Sequence, residues 1–595
     1  TEQAGLVLDL NAGSGTNGVA LADYNGDDLT DIYFVVRDSY KETDSSTWNQ
    51  LFANNGDGTF RKVEGAGGAS GMNNTPFESQ MGYKLGAAWG DIDNDGYPDL
   101  FLSHAGPDQL YYNNGDGTFR DITSLAGVAG DSLQVSSSAL WFDYNLDGLL
   151  DLYVSVWDEK SIKYNDGKNR LYKNNGDLTF KKIDPNRSGQ TNAMTWTTVA
   201  FDVNEDGLPD LYLANDFGEN TLLINNGDDS FTEATGDYGL KDAQEGMGLA
   251  LGDPDNNGKP DIYVTNLTEK RFGDQTNPLF MNMGSGHFED LASNAGVSKA
   301  GWGWGTAFTD INNDGWEDLA VVNGFITSQD GNRFFLNTGN QEHIQFKDIS
   351  KQSGFHSTEE ARGVAVFDYD NDGYQDILVS NFRDQPHLYQ NQHSGDNNNW
   401  LAITLEGTDD NRDALGATVR ISTPKNNYTK RVHGTQFLAQ NLLPLHIGLG
   451  DEESVQHIEV IWPGGKRTLK NDVRINQLVY YKQPKETSTA IDAPGSRSND
   501  NDAALTKLNN YPNPFNGSTT IQFRLNEAGT VTLDIYDLQG KHIDRITKNY
   551  KVTGDKSIKW NTAGFGSQSA ATGIYIYTLL LNGGMKATGK MIYLK

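Results

Sequence analysis

Short apolar runs alternate with polar turns over the first two-thirds of the chain, and the same order of runs returns seven times. Each unit opens on a small or apolar run, such as GVALADY, GAAWGD or GVAVFDY, that ends in an acidic loop. A second apolar run follows the loop directly: DIYFVV, DLFLS, DLYVSV, DLYLAN, DIYVTN, DLAVVN and DILVSN. A third run then enters a turn, as in LFANNGDGTF, LYYNNGDGTF, LYKNNGDLTF, LLINNGDDSF and LFMNMGSGHF. The sixth unit (FFLNTGN, then IQF) is stretched, and the seventh (LYQNQHSGDNNNW) is irregular. Runs this short, rich in β-branched and aromatic residues, read as strands. Asn-Gly and Asp-Gly between them signal hairpins, because the turn needs φ > 0. Each unit is therefore expected to form four antiparallel strands, with no room for a crossover helix. Seven such units predict a radial, seven-bladed β-propeller over residues 1–396. Its closure has two readings. TEQAGL at the N-terminus is like the unit tails SLAGV, SNAGV and KQSGF without the strand before them. The outer strand of the seventh unit then lies either upstream of it or in NNNWLAITL at 397–405.

The acidic loops start at residues 23, 91, 143, 202, 253, 310 and 368, about 58 residues apart on average. Each is nine residues long with oxygen side chains at positions 1, 3, 5 and 9. The sets are Asp23, Asn25, Asp27 and Asp31; Asp91, Asp93, Asp95 and Asp99; Asp143, Asn145, Asp147 and Asp151; and Asp202, Asn204, Asp206 and Asp210. They continue with Asp253, Asp255, Asn257 and Asp261; Asp310, Asn312, Asp314 and Asp318; and Asp368, Asp370, Asp372 and Asp376. Alternate residues point to one centre, and Gly at position 6 allows a sharp left-handed bend. Like charges so close need a cation among them. All-oxygen donors select a hard one, with calcium ahead of magnesium. Up to seven calcium ions are expected, one per blade, the first bound more weakly because Asp28 replaces the glycine. An EF-hand would need Glu at position 12, where Phe34, Leu102, Val154, Leu213, Val264, Val321 and Val379 stand. A single such loop reads equally well as an Asx-rich turn. Seven with oxygens at every ligand position favour the metal.

These repeats resemble the FG-GAP (VCBS) family over about residues 20–395. The resemblance implies a calcium-stabilised, seven-bladed propeller and says little about ligand.

Residues 397–482 break the pattern. LGATVRI, HIGLG and VIWPGGK in this stretch resemble the ASPIC/UnbV domain. A small β-sandwich is expected, in which Arg420, His446 and Trp462 are structural rather than a site. Residues 483–507 are polar and free of aromatics, which reads as a flexible linker. Residues 508–595 alternate as strands in a second small β-sandwich. YPNPF, DLQGK and GIYIYTL there resemble the C-terminal type A sorting domain of the type IX secretion system. That resemblance implies a Bacteroidota-like source, a signal peptide already removed, and an extracellular or outer-membrane-surface location. The secretion machinery would be a partner during export.

Charge and composition narrow the partners. With 80 acidic and 47 basic residues the net charge is −33, which disfavours nucleic acid. Seven divalent ions, +14 in all, would reduce it to −19. No apolar run is long enough to span a bilayer, and without cysteine there are neither disulfides nor thiol chemistry. Gly13-Ser14-Gly15-Thr16-Asn17-Gly18 fits GxGxxG, but it leads into a strand with no helix to cradle phosphate.

The inner strands begin, away from the acidic loops, at Leu85, Trp196, Met247, Trp304 and Arg362, with Trp302 and Tyr83 nearby. Tyr83, Trp196, Trp302, Trp304 and Arg362 are the candidate ligand-binding residues, for a glycan or an outer-membrane protein. Packing that simply plugs the channel is the competing role. A non-enzymatic adhesion or ligand-binding protein is expected. The alternatives are a polysaccharide lyase drawing on Tyr83, Arg362 and Arg383, and an accessory subunit of a surface complex.

Overall fold

The computed structural model describes residues 1–37, 44–71, 84–131, 134–157, 169–188, 193–267, 275–325, 330–339, 343–392, 398–434, 437–441, 444–485, 505–511, 518–525, 528–537, 541–552, 554–561, 573–582 and 584–593. The fold is all-β, with helix limited among the described residues to single turns such as Thr123–Ala126. Two compact units divide the chain, Thr1–Glu486 and Thr487–Lys595.

Seven sheets follow one another in the first unit. Six hold four consecutive antiparallel strands and the seventh holds three. Their inner strands are Thr16–Ala22, Lys84–Gly90, Ser136–Phe142, Met194–Phe201, Leu249–Gly252, Gly303–Thr309 and Ala361–Phe367. Each adjoins the next, and Thr16–Ala22 also adjoins Ala361–Phe367. The second strands, Asp31–Val36 and its counterparts, are buried on both faces. Neighbouring sheets sandwich them, which is why they read as unbroken apolar runs instead of alternating ones.

The second reading of the closure is wrong. Within NNNWLAITL, the strand Asn399–Glu406 pairs with Leu445–Gly450 and Leu478–Lys482, and not with the seventh sheet. Residues 1–8 line that sheet's outer edge. The Thr1 hydroxyl donates to the Pro386 carbonyl and accepts from the Leu388 N–H. Gln385 bonds both the N–H and the carbonyl of Leu8.

A repeated asparagine ties sheet to sheet. In six of the seven units an asparagine at or just past the end of the third strand donates its side-chain amide to the carbonyl at position 2 of the preceding unit's acidic loop. Asn113 reaches Tyr24 at 2.8 Å, Asn174 reaches Ile92 at 2.8 Å and Asn225 reaches Tyr144 at 2.8 Å. Asn337 reaches Pro254 and Asn391 reaches Ile311. Asn54 reaches Tyr369 at 3.3 Å, joining the first sheet to the seventh. Read from the sequence as turn formers, these residues staple the loops together. Asn174→Ala would leave the buried carbonyls of Ile92 and Leu150 unbonded. At ~1–3 kcal/mol for each orphaned group, the loss should be about 2–4 kcal/mol by urea titration. Asn175→Ala, one residue on and exposed, should stay within ~0.5 kcal/mol. Equal losses would show that the staple contributes nothing.

Residues 398–485 form two further sheets, one around Asn399–Glu406 and one around Thr418–Ser422. They rest on the acidic-loop ends of the first set of sheets. Phe101 and Trp141 of the second and third sheets share one apolar core with Leu401, Val460 and Trp462. A segment of this region leaves the sheets and enters the space between the inner strands. There Ala439–Asn441 pairs in parallel with Val19–Leu21.

The second unit contains a three-stranded and a four-stranded sheet over a core that includes Phe523, Ile535, Trp560 and Tyr577. GIYIYTL lies in the strand Gly573–Leu581. YPNPF and DLQGK fall mostly outside the described residues, as does most of the expected linker.

Candidate metal centres and the aromatic cluster

Each acidic loop bends twice through the left-handed region. In loops two to seven, position 4 (Asn94, Leu146, Glu205, Asn256, Asn313, Asn371) has φ between 54° and 61°, and the glycine at position 6 follows with φ of 84° to 99°. Loop one exchanges the two, with Gly26 at position 4 and Asp28 at position 6, φ 66°. The double bend turns backbone N–H groups onto the carboxylates. Asp91 accepts from Asp95 N at 3.0 Å and from Gly96 N at 2.8 Å. Asp99 accepts from Asn113 N at 2.7 Å and from Ile92 N at 3.2 Å. Positions 1 and 9 recur in this way from loop to loop, for example at Asp143 and Asp151.

The carboxylates so held converge. Asp23, Asp27 and Asp31 place one oxygen each within 4.8 Å of one another, as do Asp91, Asp93 and Asp99. The same holds for Asp253, Asp255 and Asp261 and for Asp368, Asp370 and Asp376. In the other three loops Asn145, Asn204 and Asn312 stand at position 3. The residues fit a cation. Asp253 Oδ1, Asp261 Oδ2 and Asp370 Oδ1 are buried and accept no hydrogen bond. Burial also opposes bare ionisation: it pushes Asp31 and Asp376 up to about 8 and Asp210 and Asp310 up to about 7. Asp99, Asp151 and Asp318 are held well above the carboxylate range for the same reason. Bound calcium would supply the missing positive charge within an all-oxygen shell.

Residues of the 398–485 region close over several loops, a role the sequence did not reveal. Asp413 accepts from Asp91 N at 2.9 Å, and Arg412 N donates to Asn94 Oδ1 at 2.8 Å. Lys430 pairs with Glu317, and Arg431 donates to the Gly258 carbonyl at 2.7 Å. Each contact spans more than 100 residues, so no local pattern announces it. Arg420, His446 and Trp462 have separate partners: Glu459, Asn313 and Thr468.

At the other end of the inner strands the candidate aromatics do meet. Trp196 and Trp304 are 5.8 Å apart, and Phe437 of the inserted segment lies 5.7 and 5.5 Å from them. Trp302 stacks on Phe325 at 4.3 Å. Arg362 stands 4.3 Å over Trp304. Tyr83 lies outside the described residues. Trp302, Trp304 and Arg362 are buried, and Trp196 is half-buried. Phe437 supplies the packing role for this cluster, which leaves only its rim to solvent.

Comparison with known families accounts for the repeats. The FG-GAP-like repeat matches residues 23–102, 91–154, 157–213, 202–264, 268–321 and 324–379, which together make up more than half of the chain. The chain belongs to the FG-GAP-like repeat family. Every FG-GAP match ends within the strand after an acidic loop. ASPIC and UnbV matches residues 407–488, and the secretion system C-terminal sorting domain matches residues 509–594. The sorting domain implies export by the type IX machinery to a secreted or cell-surface location. Among the described residues no helix is long and apolar enough to cross a membrane. Cartilage acidic protein 1 of Homo sapiens is 28% identical over 297 residues, 48% of this chain and 43% of that protein. Its counterpart in Xenopus tropicalis is 29% identical, over 47% and 44%. The matches thus span less than half the length of these curated relatives. An Agrocybe aegerita lectin specific for non-reducing terminal N-acetylglucosamine covers 63% of this chain and 95% of its own at 17% identity. Its TM-score of 0.36 is too low to carry an argument.

Proposed function

We propose that the FG-GAP region, residues 1–396, is a seven-bladed β-propeller with one calcium ion per blade. In this reading the exported protein works at the cell surface by binding a ligand rather than by catalysis. The succession of seven sheets supports the propeller. The observation that carries the calcium is the convergence of three carboxylates within 4.8 Å in each of four loops. Residues 397–482 cap the loop end of the wheel, and residues 508–595 serve export. Loop one is the weakest site, because an aspartate, not a glycine, occupies its second left-handed position.

Elemental analysis of folded protein, desalted from calcium buffer, tests this. Six to seven calcium ions per chain are expected from the seven loops, and Asp261→Ala should remove one of them. Less than one ion per chain would overturn the reading. Unsaturated sugar ends released from uronate polysaccharides would overturn its non-catalytic half.

A further inference from the structure

Away from the acidic loops, the second strand of the fourth sheet ends on Asp216, which is 5% exposed. Two indoles converge on one of its oxygens. Trp157, just past the second strand of the third sheet, donates its Nε1–H to Asp216 Oδ2 at 2.8 Å. Trp196, in the fourth inner strand, donates to the same oxygen at 3.1 Å. The two indoles stack with ring centroids 5.1 Å apart. Asp216 Oδ1, by contrast, is buried and accepts no hydrogen bond. The Gly246 N–H donates to the Asn215 carbonyl at 2.9 Å, which sets Glu245 beside this carboxylate. Glu245 Oε2 is likewise buried without a donor. Burial holds both carboxyls above their ordinary values, and the charge of Asp216 adds to the effect at Glu245. Buried acceptors left unbonded are costly, and native folds keep few of them.

The charged groups described around them are engaged elsewhere. Asp242 accepts from the amides of Asn220, Gln244 and Asn266. Lys241 pairs with Glu219 at 3.5 Å, and Lys299 donates to the Gln275 carbonyl at 3.0 Å. The bordering stretches 158–168, 189–192 and 268–274, outside the described residues, hold equal numbers of acidic and basic residues. The niche lies at the rim. Trp157, Trp196 and Glu245 are half-buried, and Phe217, next to Asp216, is 54% exposed on a left-handed backbone with φ 56°.

We propose that Asp216 and Glu245 bind the ammonium group of an amino sugar, whose ring rests on Trp157 and Phe217. An ammonium carries three donors and no acceptor, which suits two carboxylate oxygens that lack donors. It also supplies the positive charge that buried carboxylates require. A sugar hydroxyl would bring a donor without the charge. The face of an indole attracts a cation, and flat apolar faces suit the C–H face of a sugar ring. A chain of net charge −33 draws cationic ligands toward it. The inference rests on the reading of the exported protein as a ligand-binding one.

Titration calorimetry on the calcium-loaded full chain tests it, at a pH where glucosamine is protonated. The probes are a short β-1,4-glucosamine oligomer, the N-acetylated and the 2-hydroxy (glucose) oligomers of the same linkage and length, and oligolysine. The first three differ only in the group at C2. The glucosamine oligomer should bind at least ~10-fold tighter than any other probe, as one charge-assisted contact allows. Asp216→Asn and Glu245→Gln should each weaken it at least ~10-fold. Should Asp216→Asn not fold, Glu245→Gln, at a half-buried position, decides. The inference fails if the glucosamine oligomer does not bind, as it would not were a lysine of this chain to fill the niche. It fails equally if the acetylated oligomer or oligolysine binds as tightly, or if either folded variant keeps parental affinity. A glycan array on the same sample separates the two readings. Capture of uncharged or acidic glycans alone refutes the amino sugar and leaves the ligand-binding reading standing.

Discussion

Transfer from calcium to EDTA should lower the melting temperature of the FG-GAP and ASPIC/UnbV unit by about 20 °C. Free calcium at about 100 times its dissociation constant stabilises each site by ~2.7 kcal/mol, so seven sites give about 19 kcal/mol. Unfolding entropy near 60 °C is ~2.1 cal/mol/K per residue, or about 1 kcal/mol/K for a unit of this size. The ratio sets the shift. Differential scanning calorimetry with and without chelator measures it, and coincident transitions would refute the calcium reading.

The same experiment has a pH arm of opposite sign in the two states. Without metal, the folded carboxyls of Asp31 and Asp376 titrate at about 8, and those of Asp210 and Asp310 at about 7, against an ordinary 3.8. The metal-free fold therefore holds more protons than the unfolded chain between these values. Its stability is greatest below pH 4 in this respect and falls as pH rises toward 8. Calcium reverses the slope, because it binds the ionised form and is displaced by protons. Melting in EDTA should thus rise as pH is lowered from 8 to 6, while melting in calcium falls. Parallel slopes would mean that these carboxyls are not the metal ligands.

What the sequence reveals follows the range of each interaction. Ligand positions 1, 3, 5 and 9 are legible because their oxygens and their shared centre lie within nine residues. The left-handed residue at position 4 is not, since Leu146 and Glu205 look like ordinary fillers, whereas Gly148 and Gly207 advertise the bend at position 6. Asn113 and Asn174 announce a turn, yet their side-chain partners Tyr24 and Ile92 lie 89 and 82 residues upstream. Residues 1–8 complete the edge of a sheet more than 370 residues away. Repeats that recur can be read by comparison with one another, while contacts made once carry no such internal control.

The inserted segment is the extreme case, and its loss should be the most damaging single change. GTQFLAQN shows neither period two nor period 3.6, and nothing in it points to inner strands hundreds of residues earlier. Phe437 is fully buried against Trp196 and Trp304. Gln440, 1% exposed, accepts from Trp89 N at 2.5 Å and donates to the Trp89 carbonyl at 2.8 Å. The Leu438 carbonyl accepts from Val19 N at 3.0 Å. One chain segment thus bonds to the inner strands of two sheets and packs against those of others. Phe437→Ala removes a buried ring at a typical cost of ~3–5 kcal/mol. Adding Gln440→Ala strips two bonds from a buried backbone, for about 2 kcal/mol more. The double variant should lose about 5–7 kcal/mol in urea titration, and its tryptophan emission should move to the red as Trp196 and Trp304 gain water. Because the rest of the ASPIC/UnbV part still shares an apolar core with the second and third sheets, the variant should unfold in one transition at a lower midpoint. An unchanged midpoint would mean that the seven sheets hold together on their asparagine staples without the inserted segment.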